Sequence, residues 1–288
     1  MFTFFGNTVS LVQIISGFLF IILAPFVGGF LVGLSNTIIA KILGEDVPKV
    51  LKPFADFKDY LKSGKEAPHK NQAFFVVLAT VLMILAGGVL FGGCNVLMSV
   101  LIFMAAGIFI SIAGYSSGDR HTKIISERII MQVMSYLPML ILICVGLFIA
   151  TGTFDVEKIV SSSPVAMRYL VGMLIGILYV ISVNFKSKSF NKSSVFCGKS
   201  LAVFEVAKWY ELVFLLSFIY LVFANGTLKW GIIGAVSCIV GYFISVLYCG
   251  FGSKVNVPLN IKSAWVVTLI FGGMNLMILY YLRSFGLL

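Results

Sequence analysis

Residues 73–90, AFFVVLATVLMILAGGVL, and residues 96–115, VLMSVLIFMAAGIFISIAGY, are two uncharged apolar runs. The five residues FGGCN join them. Each run has close to the roughly 20 residues that cross a bilayer as a helix. The same pattern recurs along the chain, of whose 288 residues 60% are apolar and only 11% charged. The sequence therefore predicts an all-α polytopic membrane protein.

Eight apolar runs of this kind predict eight transmembrane helices. They are Leu11–Leu34, Ala73–Leu90, Val96–Tyr115, Ile129–Ala150, Met167–Val183, Leu201–Ala224, Trp230–Cys249 and Ala264–Leu282. No soluble appendage separates them, so residues 1–288 are expected to form a single integral membrane domain. Residues 1–10 lack a basic segment and the first run is long enough to span, which favours a retained helix over a cleaved signal peptide.

The basic residues lie on one predicted face of the membrane. Sixteen of the 21 Lys and Arg residues fall in the gaps Ser35–Lys70, Ser116–Arg128, Asn184–Ser200 and Gly250–Ser263. The opposite gaps and ends hold four, and Lys208 lies within a span. By the positive-inside rule the four basic gaps are cytoplasmic and both termini are outside, in a protein of the cell membrane.

The net charge of +10 sits on these membrane loops. This placement favours anionic lipid headgroups or an acidic protein partner over nucleic acid. The five cysteines include no C-x-x-C pair and have no clustered histidines beside them. We therefore expect no zinc or iron–sulfur site in this chain.

The first cytoplasmic gap contains an amphipathic pattern from Val47 to Lys62. Apolar residues recur every three or four positions, at Val47, Val50, Leu51, Phe54, Phe57 and Leu61, with charged residues between them. The pattern predicts a helix that begins near Pro48 and ends near Gly64, with Pro53 kinking or dividing it. Such a helix could lie in the headgroup layer, or it could be a docking element for a cytoplasmic partner.

Three motifs in the cytoplasmic gaps resemble one protein family. They are Val47-Pro48-Lys49-Val50-Leu51-Lys52-Pro53-Phe54-Ala55-Asp56 followed by Lys65 and Glu66; Gly114-Tyr115-Ser116-Ser117 followed by Arg128, Gln132, Ser135 and Tyr136; and Cys197-Gly198-Lys199-Ser200-Leu201-Ala202-Val203-Phe204. In this order they resemble the respiratory complex I subunit 1 family, which includes the membrane anchors of energy-converting NiFe hydrogenases and formate hydrogenlyase. The length of the chain is more similar to the hydrogenase branch.

The resemblance implies a non-catalytic membrane subunit of an oxidoreductase complex. Its implied partners are NiFe-hydrogenase-like large and small subunits, a ferredoxin-like iron–sulfur subunit and antiporter-like membrane subunits, which together link electron transport to proton or sodium translocation. The NiFe centre and the iron–sulfur clusters are expected in those partners, and no cofactor is expected in this chain. The residues implied to dock the soluble arm are Pro48, Lys52, Asp56, Asp59, Arg128, Lys186, Lys188 and Lys192.

The chain departs from the family chiefly in its acidic residues. Leu137 follows Ser135-Tyr136 where the family has Glu, and Lys208 stands where a Glu is expected in span six. The fifth-to-sixth gap contains no acid between Asn184 and Ser194 but three lysines. Glu45-Asp46 stand where two arginines are usual. These changes remove the most obvious proton path through the subunit.

The remaining ionisable residues inside a span are Glu205, Lys208 and Glu211. Their spacing of three places them on one flank of a helix, where either carboxylate could pair with Lys208. They are candidates for an ion relay, although a neutral structural pair is an equal alternative. Two other functions stay open: a scaffold-only paralogue that has lost ion translocation, and a stand-alone secondary transporter. The absence of an inverted repeat argues against the transporter.

Overall fold

A computed structural model describes residues 2–4, 7–9, 11–63, 70–116, 120–161, 174–179, 181–182, 196–223, 227–254 and 261–285. The chain begins with an unpredicted antiparallel hairpin, in which β1 (Phe2–Phe4) pairs with β2 (Asn7–Val9). The other described elements are helical and run in this order: α1 (Leu11–Leu43), α2 (Lys52–Lys62), α3 (Lys70–Phe91), α4 (Val96–Tyr115), α5 (Arg120–Thr151), α6 (Val156–Ser161), α7 (residues 174–179 and 181–182), α8 (Gly198–Phe223), α9 (Leu228–Lys254), α10 (Ile261–Val267), a π-helical segment (Thr268–Gly273) and α11 (Met274–Ser284).

Seven stretches of the described helix are long and apolar enough to cross a membrane. They are Ile15–Leu43, Asn71–Phe91, Val96–Tyr115, Thr122–Thr151, Gly198–Phe223, Lys229–Ser253 and Trp265–Ser284. They correspond to seven of the eight predicted spans and confirm the helical prediction for this part of the chain. Of the predicted fifth span, Met167–Val183, the structure describes only residues 174–179 and 181–182. The count of eight and the outside termini therefore stay predictions.

The largest extensions beyond the predicted apolar runs are in two spans. Helix α1 continues nine residues past Leu34, and α5 begins nine residues before Ile129. In the extension of α1, polar side chains bond back to the helix itself, since Ser35 donates to the carbonyl of Val32 and Thr37 to that of Gly33. Hydropathy marks where a helix leaves lipid, whereas backbone hydrogen bonding continues beyond that point.

The amphipathic helix is shorter than its sequence pattern. Helix α2 begins at Lys52 rather than near Pro48, and Pro53 lies in its first turn. The predicted kink at Pro53 is wrong, because a proline in the first turn removes an N–H group that has no partner within the helix. The preceding loop is held to α1, since the Pro48 carbonyl accepts a hydrogen bond of 3.0 Å from the Thr37 hydroxyl.

Helix α8 is the central helix of the bundle. In the most apolar stretch of α8, 72% of the residues are buried, whereas in the other candidate spans the corresponding fraction is 22–50%. It packs against α1, α2, α3 and α9, while α4 packs between α3 and α5. Polar groups on α8 therefore lie inside protein rather than against lipid.

Two glycines of α1 allow α2 to reach the centre of the bundle. A Cβ atom on Gly33 would lie 1.8 Å from the carbonyl oxygen of Val50, and one on Gly29 would lie 2.6 Å from Cζ of Phe54. With no side chains there, the ring centroid of Phe54 lies 5.2 Å from that of Trp209 on α8, and that of Phe57 lies 5.7 Å from it. Helix α2 is thus joined to the central span by aromatic packing.

The predicted orientation can be tested by labelling single cysteines in sealed vesicles. Lys62 and Ser161 are both exposed, at the end of α2 and the end of α6 respectively. In a Cys197→Ser background, which removes an exposed native thiol, we expect an impermeant maleimide to label Lys62→Cys only from the cytoplasmic side. Ser161→Cys is the matched control and should react only from outside. Reaction of either residue from the other side would contradict the orientation.

Candidate functional site

Helix α8 carries an ion pair in the middle of the bundle. The Nζ atom of Lys208 lies 2.7 Å from Oε2 of Glu211, and the two side chains are 14% and 1% exposed. Helix α8 is roughly 39 Å long, and Glu211 lies about 20 Å from its first residue, Gly198. Transferring two charges into this environment costs free energy that their attraction only partly offsets. Charged residues at such a depth are commonly functional.

The structure selects Glu211 rather than Glu205 as the partner of Lys208. The hydroxyl of Tyr136 on α5 lies 3.5 Å from Oε1 of Glu211, a long contact made in a fully enclosed position. On the other side, Nζ of Lys208 lies 5.6 Å from the ring centroid of Phe204, within cation–π distance. The pair therefore connects α8 to α5.

Glu205 lies about one helical turn from Lys208, toward the predicted cytoplasmic end of α8. It is 9% exposed, and among the described residues its carboxylate makes no hydrogen bond or ion pair. Its charge acts on Tyr60 of α2: burial, followed by the carboxylates of Asp56, Glu205 and Asp59, raises the pKa of the Tyr60 hydroxyl.

Tyr60 also lines a cleft of about 560 Å³ between α1 and α2. Its walls include the acids Glu45, Asp46 and Asp56 and the bases Lys49 and Lys52. Within the described ranges no group of three or more His, Cys, Asp or Glu is placed to hold a metal ion. The cleft is thus a mixed-charge opening beside the loop after α1.

A layer of aromatic side chains lies next to the ion pair, on the side away from Glu205 along α8. Phe103 of α4 stacks on Phe214 of α8, with ring centroids 4.5 Å apart, and Phe103 also contacts Tyr136 at 5.8 Å. Phe214 contacts Phe218 at 5.4 Å. Beyond this layer, the described parts of the spans carry no acidic or basic side chain until Lys229 and Arg283 at their ends. The ionisable groups therefore extend from one side of the bundle to its middle.

The structure brings together some of the predicted docking residues and not others. Pro48, Lys52 and Asp56 line the cleft, whereas Asp59 is exposed on α2. Arg128 lies within α5, but its side chain is outside the described residues, as are Lys186, Lys188 and Lys192.

Three contributors to the site were not predicted: Tyr60, Trp209 and the contact of Tyr136 with Glu211. Tyr60 continues the amphipathic spacing of Phe54 and Phe57, which was a usable signal in the sequence. Sequence spacing gave no signal for Tyr136, because its partner is 75 residues away.

Comparison with known proteins identifies the fold. No protein-family model matches the chain, and no curated protein matches it in sequence. The chain is similar in structure to a chain of the membrane-bound sulfane sulfur reductase (MBS), an archaeal respiratory membrane complex. The TM-score is 0.71 at 17% identity, over 93% of this chain and 99% of that chain. The two proteins share a fold along nearly their whole length. Together with the seven long apolar helices, this makes the present chain a multi-pass membrane protein.

Proposed function

We propose that this chain is a membrane subunit of an energy-converting respiratory assembly of the hydrogenase or complex I type. It would anchor a soluble redox arm on its cytoplasmic face and link electron transfer to movement of protons or sodium ions. The arm would consist of NiFe-hydrogenase-like and ferredoxin-like subunits that carry the metal centres, and antiporter-like subunits would lie beside it in the cell membrane.

The observation that carries the proposal is the buried Lys208–Glu211 pair, in a chain that shares its fold over 93% of its length with a chain of a respiratory membrane complex. An ion pair with a 1% exposed carboxylate is not needed to hold apolar helices together, since apolar residues of similar volume often serve equally well. Its presence in the central span supports a role in charge movement.

The order of ionisable groups supports a relay that enters from the cytoplasm. Tyr60 lines the cleft, and the carboxylate of Glu205 contributes to the raised pKa of its hydroxyl. Lys208 lies three residues beyond Glu205 on α8 and pairs with Glu211, which Tyr136 of α5 contacts. The aromatic layer of Phe103 and Phe214 then interrupts the series. A stand-alone transporter needs access from both sides of the membrane, so this arrangement favours a subunit that acts together with neighbours.

The outward face of α2 supports the docking role. Leu51, just before α2, and Leu61 within it are 64% and 44% exposed, whereas Phe54 and Phe57 of α2 are packed against the bundle. Lys58 and Asp59 lie exposed between them. Apolar side chains flanked by both signs of charge are suited to a protein partner, and Lys52 and Asp56 of the same helix line the mixed-charge cleft.

Purification in mild detergent tests the assembly. We expect the tagged chain to bring soluble subunits that contain iron and nickel, measured by elemental analysis per mole of chain. The double exchange Lys58→Glu with Asp59→Lys keeps the net charge of α2 but reverses the local pattern, and we expect it to release the arm. Lys229→Glu, exposed near the start of α9, is the control and should leave the metal content unchanged. Full iron and nickel in the double variant would rule out docking on α2, and purification of the wild-type chain alone would contradict the assembly.

A further inference from the structure

The last span contains a π-helical segment, Thr268–Gly273, between α10 and α11. A π-helical turn holds one more residue than an α-helical turn, is rare, and occurs frequently at functional sites. Two of its residues are Gly272 and Gly273, which have low intrinsic preference for a helix. The span is therefore irregular at a depth where regular hydrogen bonding is otherwise required.

The π-helical segment faces an irregularity in its neighbour α5. Pro138 lies inside α5, where it cannot donate a backbone hydrogen bond. Gly272 lies close to the next turn of α5: a Cβ atom on it would lie 2.8 Å from Cδ1 of Leu142 and 3.4 Å from Sδ of Met139. A Cβ on Gly176 of α7 would lie 2.2 Å from Cε of the same methionine. Met139, a flexible side chain, is thus held between glycines of two other helices.

A buried polar atom lies directly beyond the π-helical segment. Asn275 is 9% exposed, and its Oδ1 atom has no hydrogen-bond partner among the described residues. Buried acceptors of this kind are uncommon in native proteins and require an explanation. Conversion of the π-helical turn to an α-helical turn would rotate one side of the span relative to the other by about 100°, and would change what surrounds Asn275.

The same turn of α5 reaches the buried ion pair. Tyr136 precedes Pro138 by two residues, and its hydroxyl lies 3.5 Å from Oε1 of Glu211. Pro138 lies between Tyr136 and Met139, at a point where α5 lacks a backbone donor. Met139, one residue beyond the proline, is a side chain that Gly272 approaches closely.

The geometry points to a two-state last span. We infer that residues 268–273 convert between the π-helical form of this structure and an α-helical form, and that the balance is coupled through Tyr136, Pro138 and Met139 to the Lys208–Glu211 pair. The inference goes beyond the proposed function, since it concerns a conformational equilibrium of this chain. It holds or fails whether or not a redox arm binds.

Hydrogen–deuterium exchange of the full chain in nanodiscs tests the equilibrium. Deleting Ile270, an exposed residue of the π-helical segment, removes the extra residue and should fix the α-helical form. We expect backbone amides of residues 268–278 to exchange about tenfold more slowly in this variant than in wild type. Gly273→Ala is a milder change toward the same form, because a Cβ there meets no described atom within 4 Å, and should slow exchange about threefold. Unchanged exchange in both variants would overturn the two-state helix.

A pair of tyrosine variants tests the coupling. Tyr136→Phe removes the hydroxyl beside Glu211, while Tyr242→Phe, at a residue that is equally buried as a whole, removes a hydroxyl of α9 that donates to the Leu31 carbonyl of α1. We expect Tyr136→Phe to change the exchange of residues 268–278 about threefold or more and Tyr242→Phe to leave it at the wild-type rate. Equal rates in Tyr136→Phe and wild type, or an equal change in both variants, would overturn the coupling.

Discussion

Gly33→Ala is expected to release α2 from the bundle. The new methyl group would lie 1.8 Å from the carbonyl oxygen of Val50, and backbone at that position cannot move aside as a side-chain end can. Helix α2 would have to shift outward, and the packing of Phe54 and Phe57 on Trp209 would be lost. Overpacking of this kind costs typically 1–3 kcal/mol, which is comparable with the about 0.5–1.5 kcal/mol that each aromatic pair contributes beyond its burial.

Limited trypsin digestion from the cytoplasmic side measures the release. Lys58 and Lys62 lie on α2 and become cleavable when the helix leaves the bundle, so we expect cleavage to be about tenfold faster or more in Gly33→Ala than in wild type. Gly88→Ala is the matched control, because a Cβ at Gly88 would meet no described atom within 4 Å. Wild-type protection of α2 in Gly33→Ala would contradict the close packing of α1 on the loop before α2.

The helical fold could be predicted from the sequence because a bilayer permits few alternatives. Runs such as Val96–Tyr115 must satisfy their backbone groups internally, so length and hydropathy suffice to predict a helix, and the observed α4 has these same bounds. The extensions of α1 and α5 and the π-helical segment depend on hydrogen bonds and on contacts between distant helices. Hydropathy carries no signal for them.

The candidate site could be predicted only in part, for a related reason. Spacing of three placed Glu205, Lys208 and Glu211 on one flank, because that relation is set by a single helix. Which carboxylate pairs with Lys208 depends on neighbours from other helices, such as Tyr136 of α5, which contacts Glu211. These contacts join residues far apart in the sequence, and the glycines of α1 that permit them resemble any other small residues in an apolar run.

Breaking the buried ion pair is expected to have the largest effect on stability. Glu211→Leu leaves the Lys208 ammonium without its 2.7 Å partner, and Lys208→Met does the same to Glu211. Removing one partner of a buried pair costs about 3–5 kcal/mol, whereas replacing both by apolar residues is often neutral. In denaturant unfolding of the purified complex we expect both single variants to be strongly destabilised, and the double variant to recover most of the loss. Glu205→Gln should cost less than either, because Lys208 pairs with Glu211.

The double variant Lys208→Met with Glu211→Leu also separates a relay from a scaffold, because it is expected to assemble. If ions pass along Glu205, Lys208 and Glu211, the apolar pair interrupts the series in the middle of the membrane, where no other described ionisable residue of α8 can replace it. In vesicles that hold the intact complex, we therefore expect the ion gradient formed per electron pair to fall toward zero while electron transfer continues. Tyr242→Phe, which leaves the pair intact, should keep the wild-type ratio. An unchanged ratio in the assembled double variant would exclude the relay, and the chain would then be a scaffold whose buried charges serve only to position α8 against α5.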